Sequence, residues 1–231
     1  MYKFAIVGLV VFVTVACPPI VSADELCDRA FAEANAALEK QDLKKSISVI
    51  DAAFDVMAKD KRVRLDEEVG PLYWIRAQSK ERLKQWPGAM ADYRQSVKYL
   101  PDNMTVLNAA AWMAATAPVA KARDAKFAVA CAKKLEEYLD GLDGLTTLAL
   151  QSNQLMANLI DTMAACYAEA RDFKAAVAKQ KEAAHLIEYG LFGRLSSNPK
   201  RLELTKEKEA TLLEFKARLE LYRNSKPFRS E

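Results

Sequence analysis

Histidine is nearly absent from this chain, glycine is scarce and cysteine is sparse: one, seven and four residues in 231. The single histidine, His185, reads as a solvent-edge side chain. A nucleophilic pair with Cys166 is not expected, because the helical pattern puts Cys166 inside one helix and His185 near the far end of its partner. The glycines form no phosphate loop, no serine is set in a nucleophile elbow, and no ligand spacing for a metal is visible. Four cysteines are too few for a disulfide scaffold, so packing must hold the fold. Cys131 and Cys166 fall in apolar helical surroundings, as buried thiols or, alternatively, as a bridge. A charge bias of one sign is also missing. The net charge is +3, which argues against nucleic acid as a partner. Strand-like runs are nearly absent too.

About half of the residues are apolar, enough to bury a sizeable core. Abundant Ala and Leu favour helix throughout. Residues 1–23 carry one cation, Lys3, an apolar run from Phe4 to Ala16, Pro18 and Pro19, and small residues up to Ala23. That pattern is a secretory signal with cleavage before Asp24. Two alternatives stay open: Thr14 to Cys17 as a lipid-attachment box with Cys17 modified, and an uncleaved membrane anchor. Loss of Lys3 would leave 33 basic and 31 acidic residues, a charge of +2. From Arg194 to Glu231, ten Lys and Arg face six Glu, a modestly basic tail. The acidic pairs Glu67 with Glu68 and Glu136 with Glu137 read as solvated helix faces. Asn103, Met104 and Thr105 match the glycosylation triplet.

One spacing recurs along the chain: a small residue, a second twelve later, a third seven after that. It occurs as Ala34, Ser46, Ala53; as Ala77, Ala89, Ser96; and as Ala164, Ala176, Ala183. Ala111, Ala128, Leu135 follow it with five extra residues in the turn. Two antiparallel helices on a short turn approach closely only where facing side chains are small. In the second unit the first helix is expected from Leu72 to Lys84, the turn at Trp86, Pro87 and Gly88, and the second helix up to Leu100, stopped by Pro101.

The stretch 70–103, with Tyr73, Ala77, Ala89, Tyr93, Ser96 and Pro101, resembles one unit of the tetratricopeptide-repeat family. Arg76 and Lys80 depart from that family's pattern. Residues 157–190 resemble a second unit through Ala164, Tyr167, Phe173, Ala176 and Ala183. Residues 104–142 resemble a third with a lengthened turn from Thr116 to Lys126, in wording similar to exported bacterial repeat proteins, and 27–60 a weaker fourth. The linker 61–69 extends flanking helices, and the stretch Gly141 to Met156 holds the turn DGLDG and then lengthens the first helix of the last unit. A loop opens the segment 191–231, and a helix from Leu204 to Arg223, with apolar Leu212, Leu213, Phe215, Leu219 and Tyr222, caps the stack.

The resemblance implies an all-α fold: helix-turn-helix repeats stacked over residues 24–190 as a right-handed α-solenoid, with the cap after it. It implies a concave groove, lined by the first helix of each unit, that binds a polypeptide segment without catalysis and without a cofactor. Counting from the small packing residues, the groove side holds Phe31 and Asn35, Trp74 and Gln78, Asn108 and Trp112, and Asn158 with Asp161. Aromatic anchors and amides suit such a surface. For Trp74 and Trp112 the alternative is packing between units or under a terminal segment. The Lys and Asn pattern by which some relatives grip a terminal carboxylate is not seen on these positions. The implied setting is periplasmic or extracellular, with membrane contact only through a lipidated Cys17 or a retained leader. The rival architecture is a self-associating structural subunit whose groove is filled by its own terminus or by another copy.

Overall fold

The computed structural model describes residues 23–59, 67–141, 153–193 and 200–230. The leader and the Cys17 reading fall outside them, as do most of the linker 61–69, the turn after Gly141 and most of the loop before the cap. Among the described residues there are nine α-helices and no strand. They are α1 (Ala23–Glu39), α2 (Leu43–Lys59), α3 (Gly70–Arg82), α4 (Trp86–Tyr99), α5 (Met104–Thr116), α6 (Ala125–Asp140), α7 (Asn153–Glu169), α8 (Phe173–Gly193) and α9 (Lys206–Arg223).

Helices pack as adjacent pairs: α1 with α2, α3 with α4, α5 with α6, and α7 with α8. Each pair then meets the next, α3 lying on both α1 and α2, α5 on α4, and α7 on both α5 and α6. The cap, α9, packs on α8 and α7. All twelve residues of the recurring spacing are buried, nine of them Ala, two Ser and one Leu. Ser46 and Ser79 pair across a buried contact between α2 and α3, with Ser79 Oγ donating to Ser46 Oγ at 2.9 Å. Ser96 Oγ donates to the Gly70 carbonyl at 3.0 Å. Gly70 is required there, since a Cβ would come within 2.6 Å of Leu100 Cγ.

A second regularity lies in the turns, and it is written in backbone geometry. Gln41, Lys84 and Arg171 take left-handed φ of 60°, 58° and 68° between the helices of the first, second and fourth pairs. In each case the next amide reaches back five residues: Asp42 to Ala37 at 2.9 Å, Gln85 to Lys80 at 2.8 Å and Asp172 to Tyr167 at 2.9 Å. This is the Schellman closure of a helix C-terminus. Asp42 and Asp172 then cap the next helix, accepting from Lys45 and Ala175 amides at 3.1 and 3.0 Å. The third pair has instead a longer connection with a single 3-10 turn, Ala120–Ala122, and Asp124 as the cap of α6.

Some boundaries differ from expectation. The helix expected over Leu72 to Lys84 is Gly70–Arg82, and Trp86, Pro87 and Gly88 form no turn: they are the first turn of α4. Proline is at home at that position because its missing N–H would lack an intrahelical partner anyway. Leu213, expected on the apolar face of the cap, is 68% exposed, while Leu212, Phe215, Leu219 and Tyr222 are buried. No bridge joins Cys131 and Cys166, which are buried thiols. Asn103 of the glycosylation triplet caps α5, accepting from the Val106 amide at 3.1 Å. Arg76 and Lys80, the departures from the family pattern, share one buried carboxylate on α4: Asp92 accepts from Arg76 at 2.9 and 2.6 Å and from Lys80 at 2.7 Å.

Candidate functional site

The eight residues expected on a common surface fall into two groups. Phe31 and Asn35 are half-buried on α1; Phe31 packs into the core of the first pair, and Asn35 donates to Glu39 at 3.0 Å. Trp74 and Gln78 are half-buried on α3. Trp74 borders both large core clusters, which is the packing alternative, and its indole nitrogen has no hydrogen-bond partner among the described residues. None of these four lines the cavity that the other four share.

Asn108, Trp112, Asn158 and Asp161 do come together. They line an open cavity of about 290 Å³. α5 contributes Asn108 and Trp112, and α7 contributes Asn158 and Asp161 with Gln154 and Thr162. Four residues to the C-terminal side of a helical position return to the same face, which is why Asn108 with Trp112 and Gln154 with Asn158 align. Gln154 donates to Asn158 at 3.0 Å, and Asn108 Oδ1 is buried without a partner among the described residues.

The third wall is the cap, through Thr211, Glu214, Phe215 and Arg218 of α9. Arg218 is the residue that ties the wall down. Its Nε donates to Asp161 Oδ1 at 2.8 Å, and the same oxygen accepts from Gln180 at 2.6 Å. Burial raises the Asp161 carboxyl above the usual carboxylate range, with Arg218 opposing that shift. The guanidinium also lies against three aromatic rings, 5.6 Å from the Trp112 centroid and 5.2 Å from those of Phe215 and Phe228.

Beyond α9 the chain turns back across the ends of α5 and α7. Phe228 meets Trp112 with ring centroids 5.7 Å apart, so Trp112 does lie under a terminal segment. Arg229 pairs with Glu169 at 2.6 Å and donates to the Ala115 carbonyl at 3.2 Å. The Ser230 amide donates to the Thr116 carbonyl at 2.9 Å. The last carbonyls of α5, which have no intrahelical partner, are all satisfied: Met113 by the Ala117 amide, Ala114 by the Asp124 amide, and Ala115 and Thr116 by this segment.

Burial pushes the Cys131 thiol up to about 11 and raises Cys166 well above the ordinary thiol range, which keeps both away from the nucleophilic thiolate. Cys166 Sγ lies 3.7 Å from the Ala111 carbonyl, and His185 packs on Tyr189 with ring centroids 4.7 Å apart. Among the described residues no group of acids, cysteines and histidine is placed to hold a metal ion, and no helix is long and apolar enough to cross a membrane. Arg218, Phe215, Gln154 and Phe228 were not anticipated on this surface. A comparison with known protein families and with curated proteins found no match to this chain.

Proposed function

We propose that this chain is a binding module of the tetratricopeptide type, stacking its helix pairs as a solenoid and holding a segment of another polypeptide without catalysing a reaction. The cavity between α5, α7 and α9 carries the reading, because the first helices of two successive pairs contribute Asn108, Trp112, Asn158 and Asp161 to one open polar surface. Amides beside an aromatic wall suit the alternating donors and acceptors of a peptide backbone. Support for the repeat assignment comes from the buried small residues and from the same left-handed turn in three of the four pairs. The leader-like residues 1–23 support export to a periplasmic or extracellular setting.

The test is a photo-crosslinking amino acid placed at exposed position 158 in the native host. One crosslinked polypeptide is expected, and its yield should collapse when Asn108→Ala is added. No crosslinked protein, or one indifferent to Asn108→Ala, would count against the proposal. A second reading, a self-associating structural subunit whose groove is filled by its own terminus or by that of another copy, is favoured by Phe228 on Trp112. Light scattering separates it: a stable oligomer lost on Phe228→Ala would support the subunit reading.

A further inference from the structure

The segment Lys226–Ser230 is held by contacts that a foreign strand could reproduce. An aromatic ring lies on Trp112, the next side chain is a cation on Glu169, and a backbone amide two residues after the ring reaches the Thr116 carbonyl. We infer that this segment is a resident ligand, occupying the place where a partner docks an extended stretch with an aromatic residue followed directly by a basic one. The inference rests on reading the α5–α7–α9 surface as a partner site, and it adds the partner's chemistry and the means of its entry.

Three features argue for displacement. Glu169 is a shielded carboxylate facing two arginines, Arg123 at 3.2 Å and Arg229 at 2.6 Å, so whatever covers the end of α7 must bring a cation to the second position. The segment leaves α9 at Ser225, where the helix ends in the same left-handed closure as the three turns, the Lys226 amide donating to the Leu221 carbonyl at 2.9 Å, so departure of the segment leaves α9 capped. Trp112 and Arg218, which hold Phe228, also line the adjoining open cavity together with the Asn108 and Asn158 side chains. A longer partner strand could keep the aromatic and cationic contacts and add amide contacts in the cavity. That surplus lets it displace the resident segment.

The probe is a fluorescent peptide with the sequence of Ser225–Glu231, titrated by anisotropy against the full chain and two full-length variants. A site occupied by its own segment binds with an apparent affinity reduced by the fraction of time it is free. The native chain should therefore bind the peptide at least about tenfold more weakly than Phe228→Ala/Arg229→Ala. Ser230→Pro, which removes one amide donor and leaves Trp112 and Glu169 untouched, should fall between them and keeps the comparison valid if the double variant unfolds. A peptide with Ala at the aromatic and basic positions should not bind. Equal affinity for all three proteins, no binding to any, or indifference to the Ala replacements overturns the inference. Such a failure with the position-158 crosslink intact leaves the binding-module reading standing, whereas loss of the crosslink alone removes that reading.

Discussion

At the scale of single residues, Arg218 decides most. It lies three positions after Phe215 and four before Tyr222, on the buried stripe of α9, where a guanidinium is tolerated only against a carboxylate. Asp161→Ala would leave that buried cation only the exposed Glu214 carboxylate, 3.6 Å away, and the unfolding free energy in urea should drop by about 3 kcal/mol. Combining Asp161→Asn with Arg218→Met should recover much of the loss, because a neutral pair needs no counter-charge. A loss no larger than that from removing the exposed pair Lys45 and Glu33, 3.2 Å apart, would refute the assignment. Asp161 was legible by counting from Ala164, but Arg218 was not, because the cap was read for its apolar residues alone. A charged residue inside an apolar stripe was the available signal. Arg76 and Lys80 teach the same lesson, since their departure from the family pattern is balanced by Asp92 on the facing helix.

Among elements, the small residues were the most readable part of the fold, because the distance between packed helices is set by the volume of what lies between them. Ala164, fully buried on α7, should not accept a larger side chain. Ala164→Leu should cost about 1–3 kcal/mol by overpacking and lower Tm by several degrees, while Leu213→Ala on the exposed face of α9 should leave Tm unchanged. Equal melting of the two variants would contradict the packing argument. Turn positions were less readable. Gln41, Lys84 and Arg171 adopt a conformation usually given to glycine, so composition alone could not mark them. Pro87 was placed in the turn with Trp86 and Gly88, whereas it lies in the first turn of α4.

For the molecule as a whole, ion pairs fasten one helix pair to the next. Arg94 on α4 holds the Asp124 carboxyl below the usual range by a hydrogen bond, and Lys179 on α8 does the same for Glu136 on α6. Groups depressed in this way lend stability that is complete above the ordinary carboxylate range and is lost as pH falls through their lowered folded values. The double variant Asp124→Asn/Glu136→Gln should therefore be less stable at pH 7 and show a flatter acid limb in denaturation midpoint against pH. An unchanged limb would place acid sensitivity elsewhere. Such long-range pairs were invisible in the sequence, as was the third wall of the cavity, because it comes from a helix whose neighbours no repeat pattern specifies. One of these distant contacts also bears on biosynthesis. Thr116 and Ser230 are 114 positions apart, so the Ala115 and Thr116 carbonyls meet their native donors only after every helix between has been made. Until then water stands in for those donors at the end of α5.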